Sequence, residues 1–136
     1  MLTLFRDYPF LTPLLVMLAS EVTKHLFEGT YRGIWFQHGG MPSSHSAFVT
    51  SLLIVVGFTE PEGLQSGAFA VAAVLAAIVW YDAAFVRSQV GRQARILNIL
   101  QQFHRFSERV GHSILEVTGG IIFGSVLTAM IMALLY

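Results

Sequence analysis

The chain has 136 residues, enough for one domain, and 54% of them are hydrophobic while only 12% are charged. A soluble domain carries about 25% charged residues, so this composition points to a small integral membrane protein and excludes a disordered tail or a collagen-like repeat. Eight basic residues balance eight acidic ones, leaving no global field to attract a nucleic acid, and the absence of cysteine excludes disulfides, thiolate metal sites and a cysteine nucleophile.

Near the N-terminus Arg6 precedes an apolar run, but Asp7 beside it, Pro13 within it and the lack of a clean small-residue cleavage site argue against a signal peptide. The first helix is expected over residues 9–27, apolar as far as Ser20 and then carrying Glu21 and Lys24. A second is expected over residues 44–59, short for a bilayer core that takes about 20 apolar residues to cross. The third, residues 67–86, is apolar apart from Asp82, and the last, residues 117–136, holds no charge. Between these two, Val90, Ala94, Ile96, Leu97, Leu100 and Phe103 recur at helical spacing, so residues 87–109 read as an amphipathic helix in the interface plane. The expected fold is all-α: a single transmembrane domain over residues 1–136, an integral membrane bundle of about four transmembrane helices plus that interfacial helix.

Four spans place every basic residue except Arg6 on one side, in residues 24–43 and 87–111. The positive-inside rule makes that side cytoplasmic in a multi-pass protein of the inner or plasma membrane. The polar residues collect there too, and polar groups at membrane depth are functional candidates.

Gly39-Gly40-Met41-Pro42-Ser43-Ser44-His45 has the glycines of a sharp turn and the proline and serines of a helix start. Such a start presents free N–H groups to an anion, and His45 sits in its first turn; the plainer alternative is a well-capped helix. His112 and Glu116, at i and i+4, share one face at the start of the last helix. A carboxylate under an imidazole fixes its tautomer and raises its basicity; the alternative is a glutamate that complements the helix dipole. Connectivity brings the two histidine-bearing N-termini to one depth, where one histidine can serve as nucleophile or base and the other as general acid. Asp82, one turn inside Arg87, needs a cationic partner; Arg87 is either that partner or a fork for phosphate oxygens. Lys24 and Arg32 add positive charge, Lys24 with the alternative of snorkelling to the interface. Gly120 and Gly124 form a GxxxG pattern that suits close helix approach, within the chain or in a homo-oligomer.

The runs GGMPSSHSA, YDAAFVRSQVGRQARILN and GHSILEVTGG, in that order, resemble the divergent bacterial and plastid branch of the type 2 phosphatidic acid phosphatases, relatives of the acid phosphatases and vanadium-dependent haloperoxidases. The resemblance implies a phosphatase in which His112 is the nucleophile, Glu116 orients it and His45 protonates the leaving alkoxide. Lys24, Arg32, Ser43, Ser44 and Arg87 would hold the phosphate, Asp82 would stand behind them, and no metal or other cofactor would be needed. Three departures stand out: Ser44 replaces the glycine of Pro-Ser-Gly-His, Glu116 replaces an aspartate, and Phe106 occupies the position of an expected arginine. Arg87 is the favoured substitute for that arginine. Members of the branch are associated with phosphatidylglycerophosphate, and isoprenyl phosphates suit the same chemistry, so the expected partners are a lipid phosphate and the membrane. The alternative class is a non-catalytic membrane protein that binds or moves an anionic lipid through its basic face.

Overall fold

The computed structural model describes residues 2–28, 40–101, 103–108 and 110–136, and among these residues all regular structure is helical. Helix α1 (Leu2–Asp7) leads through a turn at Tyr8 into α2 (Leu11–Glu28). Pro13 does not interrupt α2, because it lies in the first turn, where backbone N–H groups have no partner within the helix. Helix α3 (Ser44–Thr59) begins at the expected residue: Ser43 is its cap, with its hydroxyl accepting from the Ser46 amide at 3.4 Å. It ends before Pro61, with Glu60 extended at ψ 135° as a residue preceding proline prefers. A short 3-10 turn follows over Gly63–Gln65, and Ser66 caps the next helix by accepting from the Phe69 amide at 3.0 Å.

Helix α4 (Gly67–Tyr81) passes through one π turn (Asp82–Val86) directly into α5 (Arg87–Leu100), giving 34 unbroken helical residues. At 1.5 Å per residue that is about 50 Å, against roughly 30 Å of bilayer core. The expected boundary at Val86 is therefore absent, and the expected amphipathic helix to residue 109 stops at Leu100, where Gln101 turns extended. The described part of residues 101–113 has no regular structure and leads into α6 (Ile114–Leu135). Of the four expected spans, Gly67–Leu100 and Ile114–Leu135 are long and apolar enough to cross a membrane. Helix α2 carries Glu21, Lys24 and Glu28, and α3 has 16 residues.

Helix α3 lies in the middle, packed by α2, α4 and α6. The interior is small and partly polar: Ser44, Ser46, Ala47, Thr50 and Ser51 of α3 are buried, as are Ser20, Ala72, Ala76 and Thr128 around them. The large apolar side chains point outward, among them Leu18, Val22, Val71, Ile78, Ile122 and Val126. This inverted arrangement suits a lipid solvent. Outward leucines lose nothing there, and small residues inside let helix backbones approach and bond.

The α3–α6 seam shows the principle. A Cβ on Gly124 would lie 2.6 Å from the Ala47 carbonyl oxygen and 2.8 Å from its Cα, and one on Gly120 would lie 2.9 Å from Ser46 Cβ. Two turns beyond Gly120, Thr128 Oγ1 donates to Ser51 Oγ at 2.7 Å. The GxxxG face is thus packed against α3 of the same chain. Replacing Gly124 with leucine should lower stability by about 1–3 kcal/mol through overpacking. Gly67→Ala, with nothing within 4 Å of the added carbon, should cost nothing. Thermal unfolding of both variants in detergent micelles measures the difference.

Candidate active site

Four segments converge on the polar side: the C-terminal half of α2, the start of α3, the π turn within the long helix and the start of α6. From α2, Glu21 Oε1 accepts from Lys24 Nζ at 3.2 Å and from the Ser44 hydroxyl in a short hydrogen bond. Lys24 is buried, so the carboxylate that meets it offsets the cost of removing an ammonium from water. Glu21 has no motif to announce it. Its only sequence signal is the i,i+3 spacing to Lys24 in an apolar helix.

The turn before α3 has Gly40 at φ +100°, a conformation that favours glycine, followed by a cis Met41–Pro42 bond. The Ser43 hydroxyl accepts from the Ser46 amide and, at 3.0 Å, from the Ser46 hydroxyl. Its own amide donates to the Glu116 carbonyl at 3.2 Å. Ser43 is therefore a structural cap that joins α3 to α6, and its amide is not free for the phosphate contact expected of it. The Ser44 hydroxyl is likewise committed, to Glu21. His45 in the same turn is exposed.

Helix α6 begins at Ser113 with a full capping box: the Ser113 hydroxyl accepts from the Glu116 amide at 3.2 Å, and Glu116 Oε2 accepts from the Ser113 amide at 2.7 Å. Glu116 Oε1 also accepts from the Gly40 amide at 3.3 Å, so one side chain fixes both the helix start and the preceding turn of α3. His112 is 8% exposed, and its Nδ1 lies 3.5 Å from Glu116 Oε2 without a hydrogen bond. Both functions weighed for Glu116 are thus represented. It caps, and its charge faces the imidazole. Burial pulls the His112 pKa below its ordinary value; Glu116 opposes this, and Lys24 and His45 add to it. The lowered pKa favours the neutral form of the ring.

The His112 amide donates to the Ala83 carbonyl at 3.0 Å, inside the π turn. A π turn inserts an extra residue and leaves a carbonyl without its regular helical partner; here the residue just before the cap of α6 supplies the donor. Across the same turn Arg87 Nε donates to Asp82 Oδ2 at 2.7 Å. Asp82 thus has the cationic partner its depth requires. Arg87, the favoured phosphate ligand, is tied to that carboxylate. Gly111, at φ +97°, lets the chain cross close to the Arg87 backbone, which a Cβ would meet at 2.8 Å.

Two other arginines share a cavity with His112. Ser88, Arg92 and Arg95 of α5, with Glu108, Gly111 and His112, line a cavity of about 380 Å³. In the sequence these arginines signal only sidedness; their recurrence with Ser88 at helical spacing is what could have placed them on one face. A second, apolar cavity of about 790 Å³ lies where α2 meets α6 and the Met41–Pro42 turn, lined by Thr23, Pro42, Gly119, Phe123, Val126 and Met130. Arg32 lies outside the described residues.

The fold is that of an all-helical membrane protein, with two helices long and apolar enough to cross a bilayer and with histidines at its converging helix starts. The chain belongs to the Divergent PAP2 family, whose model matches residues 5–127. It is 33% identical over 153 aligned positions to a protein of Bacillus subtilis (strain 168) described as "Uncharacterized membrane protein YuiD", with 94% of this chain and 96% of that one covered. Since the alignment is longer than this chain, the relative carries additional residues within the matched region. No solved structure matches.

The lowered His112 pKa has a consequence for stability. The unfolded chain binds a proton on this ring at a higher pH than the native chain does. Native stability is therefore complete above about pH 6.5 and falls as pH drops from there toward the lowered native value. Thermal unfolding of wild type and His112→Gln between pH 7.5 and pH 5 should show a shallower acid loss in the variant.

Proposed function

We propose that the chain is a metal-independent membrane phosphatase acting on a lipid phosphomonoester, phosphatidylglycerophosphate-like or an isoprenyl phosphate. The observation that carries this reading is the buried His112 imidazole at the start of α6, whose Nδ1 lies 3.5 Å from the Glu116 carboxylate. In this mechanism an imidazole nitrogen of His112 attacks phosphorus and the ester P–O bond breaks. His45 gives its proton to the leaving alkoxide. Water then hydrolyses the phosphohistidine, and His45 takes a proton back from that water. Glu116 stabilises the ring as it becomes cationic, and Lys24 offsets phosphate charge. The apolar cavity beneath the Met41–Pro42 turn suits the lipid chain. Family membership supports the same chemistry.

The multi-pass arrangement belongs to this proposal. Helices α2 and α3 complete a four-span bundle, and the site lies on the cytoplasmic side, where Lys24, Arg87, Arg92, Arg95 and Arg105 gather. A second reading, a non-catalytic binder of anionic lipid, draws on one observation: Glu116 is engaged by the Ser113 and Gly40 amides and makes no hydrogen bond to His112.

Phosphate release from phosphatidylglycerophosphate, phosphatidic acid and a polyprenyl phosphate in micelles containing EDTA separates the two. The enzyme reading expects release that falls by roughly 10³-fold or more in His112→Ala and by about 10²–10⁴-fold in His45→Ala. A folded wild type that binds these lipids and releases nothing from any of them supports the binder. Since the chain has no cysteine, Arg105→Cys gives a single label site. It should react with a membrane-impermeant maleimide only after the cytoplasmic face is opened; labelling in intact cells would reverse the orientation.

A further inference from the structure

We propose that the cavity that α5 forms with Glu108, Val110, Gly111 and His112 is an oxyanion site in which Arg92 and Arg95 bind a phosphate-monoester dianion beside His112. The proposal rests on the phosphatase reading for its chemistry and deepens it by naming the phosphate ligands. It begins with the disposition of the cations. Lys24 is paired with Glu21, and Arg87 with Asp82. Arg92 and Arg95 make no ion pair among the described residues. Both line the same cavity as His112. Their guanidinium groups are the side chains best shaped for a tetrahedral oxyanion, since each presents a planar fork of N–H donors.

The cavity's remaining lining agrees with this use. Glu108, its one carboxylate, is held by Asn98, whose Nδ2 donates to Glu108 Oε1 at 2.8 Å. Asn98 also bonds both backbone groups of Phe106, donating to its carbonyl at 2.9 Å and accepting from its amide at 2.8 Å. One side chain thus holds the segment that walls the cavity and turns the acidic residue toward α5's amide rather than leaving it free. Gly91 is also required, because a Cβ there would lie 2.5 Å from the Glu108 carbonyl oxygen; the backbone at Glu108 can lie close on α5 only over a glycine. Helix α5 thus presents two arginines to the cavity that His112 lines.

The ligand chemistry is shared by free phosphate and a lipid headgroup, and the test has an arm for each. In the first, inorganic phosphate is titrated into the full-length protein in micelles and followed by calorimetry. Arg92→Gln and Arg95→Gln should each weaken binding roughly tenfold, the scale of one charge-assisted contact. Arg92→Lys and Arg95→Lys should recover part of the loss. Arg105→Gln, which removes an equal charge outside the cavity, should leave affinity unchanged. In the second, a short-chain lipid phosphate is the substrate, and the two glutamine variants should raise KM more than they lower kcat.

Phosphate binding by wild type that is the same in both glutamine variants overturns the proposal, as does a wild type that binds no phosphate. If wild type hydrolyses the lipid and the glutamine variants match it, the arginine site falls and the phosphatase reading stands. If wild type hydrolyses nothing yet binds phosphate in an Arg92- and Arg95-dependent way, the phosphatase reading falls and the site stands.

Discussion

The carboxylate of Glu116 holds the functional end of the molecule together. It accepts from the Ser113 amide and from the Gly40 amide, while its backbone carbonyl accepts from the Ser43 amide. Three amides from two helix starts therefore converge on one residue, at the end of the molecule where their own helices cannot satisfy them. In water such bonds would exchange with solvent at little net gain. At Gly40 and Ser43, which are part-buried or buried, a broken bond would leave a polar group with little water to replace its partner. Because the α3 and α6 starts are tied through Glu116, His45 and His112 are held at one level rather than on independent helices.

The rest of the bundle makes that junction tenable. Close approach at Gly120, Gly124 and Thr128 brings α6 onto α3 along its length, and the polar atoms of Ser46, Thr50 and Ser51 bond locally or across the seam. Helix α3 is only 16 residues long, but it is surrounded, so its polar N-terminus meets protein partners instead of lipid. The π turn adds the third support. The His112 amide needs an acceptor before α6 begins, and the Ala83 carbonyl, displaced from its regular helical bond, is there to take it. Lengthening or removing that turn would move both the carbonyl and the side-chain face of α5.

Much of this fold was legible in the chain. Ser43 and Pro61 bound α3 because a hydroxyl cap and a pre-proline residue act locally, within three or four positions. The convergence of the two histidine-bearing helix starts followed from the count and direction of the helices. What stayed hidden depended on distant partners. The change from apolar to polar at Arg87 looks like an element boundary, yet the backbone runs straight through it. Nothing in the composition of residues 82–86 marks a π turn, because its displaced carbonyl is satisfied by a residue far along the chain. The Asp82–Arg87 pair depends on that turn: at regular α spacing, five residues put two side chains about 140° apart. Arg87 therefore looked available to a ligand. Asn98 was illegible for a related reason, since its main partners are backbone groups of Phe106, which any residue would offer.

The glutamate at 116, where the related phosphatases carry aspartate, ties these observations to the chemistry. One more methylene lets a carboxylate at the third helical position fold back to the amide of its own cap, which is why capping boxes use glutamate or glutamine. The same reach takes Oε1 to Gly40. The exchange strengthens the scaffold and divides the carboxylate among three neighbours, with His112 the one it only approaches, at 3.5 Å. In the resting protein this is the better arrangement, because burial favours the neutral ring and a neutral ring gains little from a full charge-assisted bond. In the proposed reaction the ring would become cationic on taking a phosphoryl group, in a site of low dielectric, and its attraction to Oε2 would grow at that moment. A carboxylate already anchored by two amides meets that charge with little reorganisation, so in the phosphatase reading its structural engagement is part of the catalytic preparation.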